Sequence, residues 1–338
     1  MENKNFKSGY IGLVGRTNVG KSTLINKIFD RNIVITSDKA QTTRSRINCI
    51  YNTNDAQAIF VDCPGFFKPR NLLGEKLNRI IFQVLDDVDI IVAMVDFPGG
   101  IGAGDYYVFE QIRSRRVPKI LILNKIDLLN TPGKYSLLET ISKIRSELDF
   151  FEEIIPVSAS TGENLEKLLK ALMGKLPAGP MYYPVGMVTD MPVNKMIAEI
   201  IREKLSANLF DELPHSINVE VVNLQRKAAG IKKDASAQRE TDIKQESGSG
   251  IIGAAVAGAA VKAGKGNELV MIECNIYVEK KSHKAMIIGK SGSMLKKIGG
   301  LSRTEIEKLL DSKVFLKLWV KVEENWTRKE SYLDRFGY

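Results

Sequence analysis

Eight residues close to the N-terminus, Gly15-Arg16-Thr17-Asn18-Val19-Gly20-Lys21-Ser22, carry the spacing G-x-x-x-x-G-K-[ST]. They follow the apolar run YIGLV and lead into STLINKIF, which has the pattern of a helix. A strand, a glycine loop and a helix N-terminus in that order aim backbone N–H groups at one point, and the chemistry this suits is phosphate binding. Gly15 and Gly20 permit the tight backbone. Lys21 is spaced to reach β and γ phosphates, and the Ser22 hydroxyl to ligate Mg²⁺.

Three further strings follow, each at the end of an apolar run. Asp62-Cys63-Pro64-Gly65 succeeds AIFV, so Asp62 is placed to hold Mg²⁺ through water and the Gly65 N–H to sense a γ-phosphate. Asn124-Lys125-Ile126-Asp127 ends KILIL. A carboxylate at Asp127 accepts both guanine N1–H and the exocyclic N2–H, a donor pair adenine lacks, while Asn124 holds the loop and touches the base edge. Ser158 and Ala159, in VSA, supply a backbone N–H, that of Ala159, to the guanine oxygen. Four short motifs in this order, each at a strand end, indicate a site that binds and hydrolyses GTP.

The elements that must position these residues are legible between residues 10 and 176. Short β-branched runs (YIGLVG, AIFVDCPG, DIIVAMVD, KILILNKID, EEIIPVSA) alternate with helical patterns, which predicts an α/β domain with a mostly parallel sheet and helices on both faces. The expected organisation is a tail over 1–9, a GTPase domain over 10–177, a Pro/Gly-rich linker over 178–191 and a smaller α+β unit over 192–338. That unit reads α-β-β-α-α-β, with a low-complexity, disordered insertion at 225–266. A length of 338 residues with 44% hydrophobic content suits two domains, and a net charge of +9 suits a polyanionic partner. Cys49, Cys63 and Cys274, with His215 and His283, lack any metal-ligand spacing, which argues against disulfides and a zinc site. The apolar stretch GSGIIGAAVAGAAV is too short to span a bilayer, so a cytoplasmic protein is expected, with peripheral contact at the inner membrane face left open.

Gly-Lys-Ser recurs at residues 289–291, but five positions before Gly289 stands Lys284 rather than a glycine, so no second phosphate loop forms. Gly289-Lys290-Ser291-Gly292 instead satisfies G-x-x-G, read with a strand ending in MII before it and a helix after it. It resembles the loop with which KH domains clamp single-stranded nucleic acid. Residues 280–297 hold Lys280, Lys281, Lys284, Lys290, Lys296 and Lys297 and no acid. Ile288, Gly289, Lys290, Ser291, Gly292, Lys296 and Lys297 are the candidate RNA contacts, with Ile287, Met294 and Leu295 on the apolar side of the groove. Trp319 is expected in the core, with Trp326 covering an edge.

Residues 10–176 resemble the translation-factor-related GTPases, and KAQTTRSRI (39–47) is similar to switch I of the Era-type members of that class. The resemblance makes Gln41, Thr42, Thr43, Arg44 and Ser45 the switch I segment. It implies that Thr43 completes the Mg²⁺ shell, and that Lys21, Thr43, Gly65 and Asn18 serve a slow hydrolysis. Phe66 and Phe67 stand where Ras-like enzymes carry a water-orienting Gln. In relatives with Asn at the Asn18 position a K⁺ ion supplies charge. Carried across, its ligands are Asn18, Ser37, the Lys39 carbonyl and Thr42, against the simpler reading that Asn18 braces the loop. The resemblance further implies a monomer with a type II KH domain that holds the 3′ end of 16S rRNA during assembly of the 30S subunit. A slow GTP-sensing RNA-binding protein and a GTPase of tRNA modification are the alternatives.

Overall fold

The computed structural model describes residues 6–36, 43–130, 137–209, 216–228 and 268–338. The first domain is built on six strands: β1 (Lys7–Gly15), β2 (Ile47–Asn52), β3 (Ala56–Asp62), β4 (Ile90–Asp96), β5 (Lys119–Asn124) and β6 (Glu153–Val157), in the order β2-β3-β1-β4-β5-β6. All neighbours run parallel except β2, which pairs antiparallel with β3. Every residue of β3 and β5 is buried, as expected of strands covered on both faces. The covering helices are α1 (Lys21–Phe29), α2 (Leu72–Asp87), α3 (Ala103–Arg113), α4 (Leu137–Glu147) and α5 (Leu165–Lys175). Two apolar cores result, one on each face of the sheet. Pairing of β1 with β3 begins at Lys7, so residues 7–9 of the expected tail are strand.

The second domain runs α6 (Val193–Asn208), β7 (Asn218–Ala228), β8 (Glu268–Val278), α7 (Lys281–Ile288), α8 (Ser293–Leu310) and β9 (Lys313–Val322), which is the expected order. A short helix, α9 (Glu330–Phe336), follows. β7 pairs antiparallel and β9 parallel with β8, and α6 and α8 share one core with the inner sheet face. Three sequence expectations need correction. The apolar MII before the G-x-x-G loop ends α7 rather than a strand, because a run of three apolar residues does not distinguish the two periods. Residues 225–228 belong to β7, where Gln225 to Ala228 pair with Met271 to Glu268; the rest of the expected insertion, from residue 229 on, lies outside the described residues. Trp319 is 57% exposed on β9, whereas Trp326 is fully buried.

The linker is bonded to the sheet along most of its length. The buried Gln57 side chain accepts from the Tyr182 and Tyr183 N–H groups at 2.8 and 2.9 Å and donates to the Tyr183 carbonyl at 2.8 Å. The Ile50 N–H donates to the Val188 carbonyl, Thr189 bridges to Cys49, and Asp190 accepts from Asn48 and Tyr183. Met191 packs on the first apolar core, one residue before Pro192 caps α6.

Candidate functional site

The phosphate loop joins β1 to α1 with two residues at positive φ, Asn18 (64°) and Gly20 (102°). A side chain at Gly20 meets the Asn124 amide at 2.4 Å, and one at Gly15 meets the Met94 carbonyl at 2.4 Å, so both positions are closed to larger residues by backbone and neighbours. Lys21 is buried and donates to the Arg16 carbonyl at 3.0 Å, which folds the ammonium back over the loop. Burial lowers its pKa, opposed by nearby Cys63 and Asp62. The Arg16 side chain is held by Asp105 at 2.8 Å. Thr17 forms the backbone on which Gly65 rests: a Cβ at Gly65 lies 2.6 Å from the Thr17 N, and the Phe66 N–H donates to the Gly15 carbonyl. Val19 is buried in the core below the loop.

Three oxygens converge beside the loop. Asp62 Oδ2 accepts from Ser22 Oγ at 2.9 Å and Thr43 Oγ1 at 3.1 Å, and the two hydroxyls lie 3.2 Å apart. The second oxygen, Asp62 Oδ1, is buried without a partner among the described residues. Burial raises the Asp62 pKa, opposed by Lys21 and by the two hydroxyls. A hard divalent cation fits this set, since such ions bind oxygens and the orphaned carboxylate oxygen gains a partner from one. Cys63 is fully buried, with its thiol pushed up to about 12 by burial, and donates to the Leu13 carbonyl, so with Pro64 it shapes the turn rather than reacting. Phe66 is turned into the core against Phe82 and Tyr107, and Phe67 packs beside α2. Neither occupies a water-orienting position.

At the base end, Asn124 is a strut. Its amide donates to the Val19 carbonyl at 2.7 Å, and its Oδ1 accepts from the Ala159 N–H at 2.9 Å, joining the phosphate loop to the β6 end. The Ala159 N–H, the sequence's candidate for the guanine oxygen, is engaged by Asn124 in this structure. Asp127 accepts from the Ser160 hydroxyl through Oδ2, while Oδ1 is buried and has no partner among the described residues. Hydrogen bonds from Ser158 and then Ser160 hold its pKa below the ordinary 3.8, so the carboxylate is charged. Lys125, at φ 67°, is anchored on Asp96.

The G-x-x-G turn stands on the other domain, between α7 and α8. Gly289 (φ 71°, ψ 177°) takes a conformation reserved for glycine, Ser291 and Gly292 are left-handed, and open space surrounds the position a Cβ would take at Gly292. Lys290, Lys296 and Lys297 are exposed. Of the four apolar residues expected beside the groove, Ile287 is fully buried core, whereas Ile288, Met294 and Leu295 are half-buried against that core.

Contacts between the domains carry no signal in the sequence. Arg44, next to Thr43, is 2% exposed and donates to the Ile217 carbonyl of the second domain at 2.7 Å. Leu73 and Leu77 of α2 form one buried cluster with Trp326 and Leu333, and Lys76 pairs with Asp334. The segment that carries Thr43 and the helix that follows the Asp62–Gly65 turn are thereby fastened to the second domain. Ser45 lies beside this contact, whereas Ser37, Lys39, Gln41 and Thr42, and with them most of the expected K⁺ ligands, lie outside the described residues.

Residues 10–125 match a family profile described as 50S ribosome-binding GTPase, and residues 258–327 match a KH domain profile. The sequence is 39% identical over 334 residues to GTPase Era of Alkaliphilus metalliredigens, covering 99% of each chain. The chain belongs to the Era family of GTPases. GTPase Era of Fusobacterium nucleatum is 41% identical over 98% of this chain and 99% of its own. Among solved structures, Era in complex with MgGDPNP and nucleotides 1506-1542 of 16S ribosomal RNA matches with a TM-score of 0.84 at 34% identity, over 98% of this chain and 99% of that one. A variant of Era from Aquifex aeolicus bound to GDP·AlF4⁻ matches at 0.83, with the same identity and coverage. As an Era-family member the chain is a P-loop enzyme that hydrolyses GTP and carries a C-terminal KH domain.

Proposed function

We propose that this GTPase is a cytoplasmic, monomeric assembly factor of the small ribosomal subunit, which grips the single-stranded 3′ end of 16S rRNA through Gly289–Gly292 and releases it according to its nucleotide state. The observation that carries this reading is the pairing in one chain of a nucleotide cradle and a G-x-x-G turn, with Arg44 and α2 fastening the first to the second. The related Era structure with a Mg²⁺-bound GTP analogue and a 16S fragment supports the same assignment.

In this reading the loop N–H groups and Lys21 hold the β and γ phosphates, and Asp127 selects guanine. Ser22, Thr43 and Asp62 would hold Mg²⁺, which neutralises charge on the phosphate oxygens when bound. Hydrolysis removes the partner of Gly65 and Thr43. The released segments then alter the Arg44 and α2 contacts, and with them the second domain. Asn18, Ser37, the Lys39 carbonyl and Thr42 would hold a monovalent cation, which would supply charge of the kind an arginine finger gives elsewhere. The left-handed turn at Asn18, which lifts it to the surface above the loop, supports this role.

Crosslinking in cells followed by RNA sequencing tests the target. Reads piled on the 3′ end of 16S rRNA are expected, and reads dominated by tRNA would make it a tRNA-modification enzyme. For the cation, hydrolysis in KCl is expected to exceed that in NaCl at equal ionic strength, and equal rates refute the assignment.

A further inference from the structure

The outward face of β9 carries an alternation that neither the nucleotide site nor the G-x-x-G turn uses. Because side chains along a strand alternate between faces, Val314 and Val320 enter the core at 5% and 9% exposure, while Lys313, Phe315, Lys317, Trp319 and Lys321 share the opposite face. Phe315 is 47% and Trp319 57% exposed, a large apolar outlay for an edge strand. On the neighbouring strand, Leu269, Met271 and Glu273 are registered against Lys313, Phe315 and Lys317. Glu273, the acid opposite the lysines, is taken up by Lys317 at 3.0 Å, and the same ammonium lies 5.9 Å from the Phe315 ring centroid. The described face is thus cationic, with two rings standing clear of it. The helices α7 and α8, and the G-x-x-G turn between them, cover the inner face of the same sheet.

We propose that this outer face is a second contact for single-stranded RNA, separate from the G-x-x-G groove, with bases stacked on Phe315 and Trp319 and phosphates held by Lys313, Lys317 and Lys321. Rings four residues apart on a strand are separated by about 13 Å, which leaves room for an unstacked nucleotide between two stacked ones in an extended strand. Stacking needs exposed flat rings and tolerates any base, and the interleaved ammonium groups supply the sequence-independent attraction to phosphate. A purely hydrophobic protein partner has no use for a lysine at every second outward position, and the charge complementarity favours a polyanion. The inference extends the proposed RNA function but does not depend on the G-x-x-G turn.

The chain contains two tryptophans, and Trp326 is fully buried, so a change in emission on adding ligand reports on Trp319. The probe is a 12-nucleotide oligouridylate titrated into the full-length protein and into a Lys290→Glu variant that disables the turn, with anisotropy of the labelled RNA read in parallel. Quenching of tryptophan emission is expected in both proteins and weakens with added salt. Phe315→Ala with Trp319→Ala should weaken binding to the Lys290→Glu protein roughly tenfold or more, with GTP hydrolysis unchanged. Lys313→Glu with Lys321→Glu should do the same while keeping the fluorophore. RNA that binds by anisotropy without quenching Trp319 overturns the proposal and leaves the groove standing. Emission that shifts with phosphatidylglycerol vesicles and not with RNA overturns it in favour of a membrane surface. No RNA binding by any protein refutes this face and the groove together.

Discussion

At residues 20–22 the sequence Gly-Lys-Ser lies in an enclosure; at residues 289–291 the same three residues lie on an open turn. Gly20 is backed by the Asn124 amide, Lys21 is buried and bonded to the Arg16 carbonyl, and Ser22 is bonded to the carboxylate of Asp62. Gly289 is backed by Ser293 and Met294 of the following helix, Lys290 is exposed, and Ser291 occupies a left-handed bend with open space at the Gly292 Cβ position. A reaction that must exclude water and hold charge in fixed positions needs the first arrangement. Gripping a flexible polyanion needs only backbone room and mobile charge, which the second provides. What separates the two copies is the neighbourhood that long-range packing puts around each.

The contrast is broken most severely at Lys21. Lys21→Ala is expected to lower GTP turnover by about 10²–10³-fold, with RNA affinity of the nucleotide-free protein unchanged, as measured by single-turnover hydrolysis and RNA anisotropy. Loss of RNA binding in that variant would show that the two sites are not separable. Asp127→Asn presents a donor where guanine needs an acceptor, and should weaken GTP binding about 10- to 100-fold, the worth of hydrogen bonds to a charged group, with a gain for xanthosine triphosphate in a competition assay. The Asp127 pKa is depressed, so its contribution is full above the ordinary 3.8 and is lost only as pH falls through the lowered folded value. GTP affinity should accordingly stay level from neutral pH to about pH 5, and a midpoint near neutrality would contradict the assignment.

Arg44→Ala tests the connection between the two copies. It leaves the Ile217 carbonyl buried without its donor, a cost of about 1–3 kcal/mol, readable by urea denaturation, and RNA affinity should no longer differ between the GTP-analogue and GDP forms. An undiminished difference would remove Arg44 from the connection. The smallest effect is expected at Lys290. Lys290→Ala should reduce the salt slope of RNA binding by about 1 without touching hydrolysis, and an unchanged slope would mean that this lysine does not meet a phosphate.

The nucleotide site was legible because its motifs are contiguous and sit at strand ends, where each needs only its own strand and helix for context. Ser22, Asp62 and Thr43 do come together, and Asn124 does hold the loop. The bond from the Ala159 N–H to Asn124, 35 residues away, has no local signal. The same holds for Arg44 and Ile217, which are 173 residues apart in the chain. The exchange of roles between Trp319 and Trp326 was recoverable. Trp319 shares its strand parity with Lys313, Lys317 and Lys321, and a face carrying three lysines faces water, whereas Trp326 lies beyond the strand in a tail whose destination only the fold reveals.

The bonded linker sets the mechanics of the switch. Val188, Thr189, Asp190 and Met191 are bonded to or packed on the nucleotide domain, as is the segment that Gln57 holds, and α6 begins at Val193, so Pro192 is nearly all that remains between the two halves. Its ring fixes one of the two backbone torsions at that point. A joint this short cannot let the halves slide or drift apart; it permits only rotation about a near-stationary pivot. Any rotation at this joint would displace Gly289 farther than the residues beside Pro192, as a door's edge moves farther than its hinge.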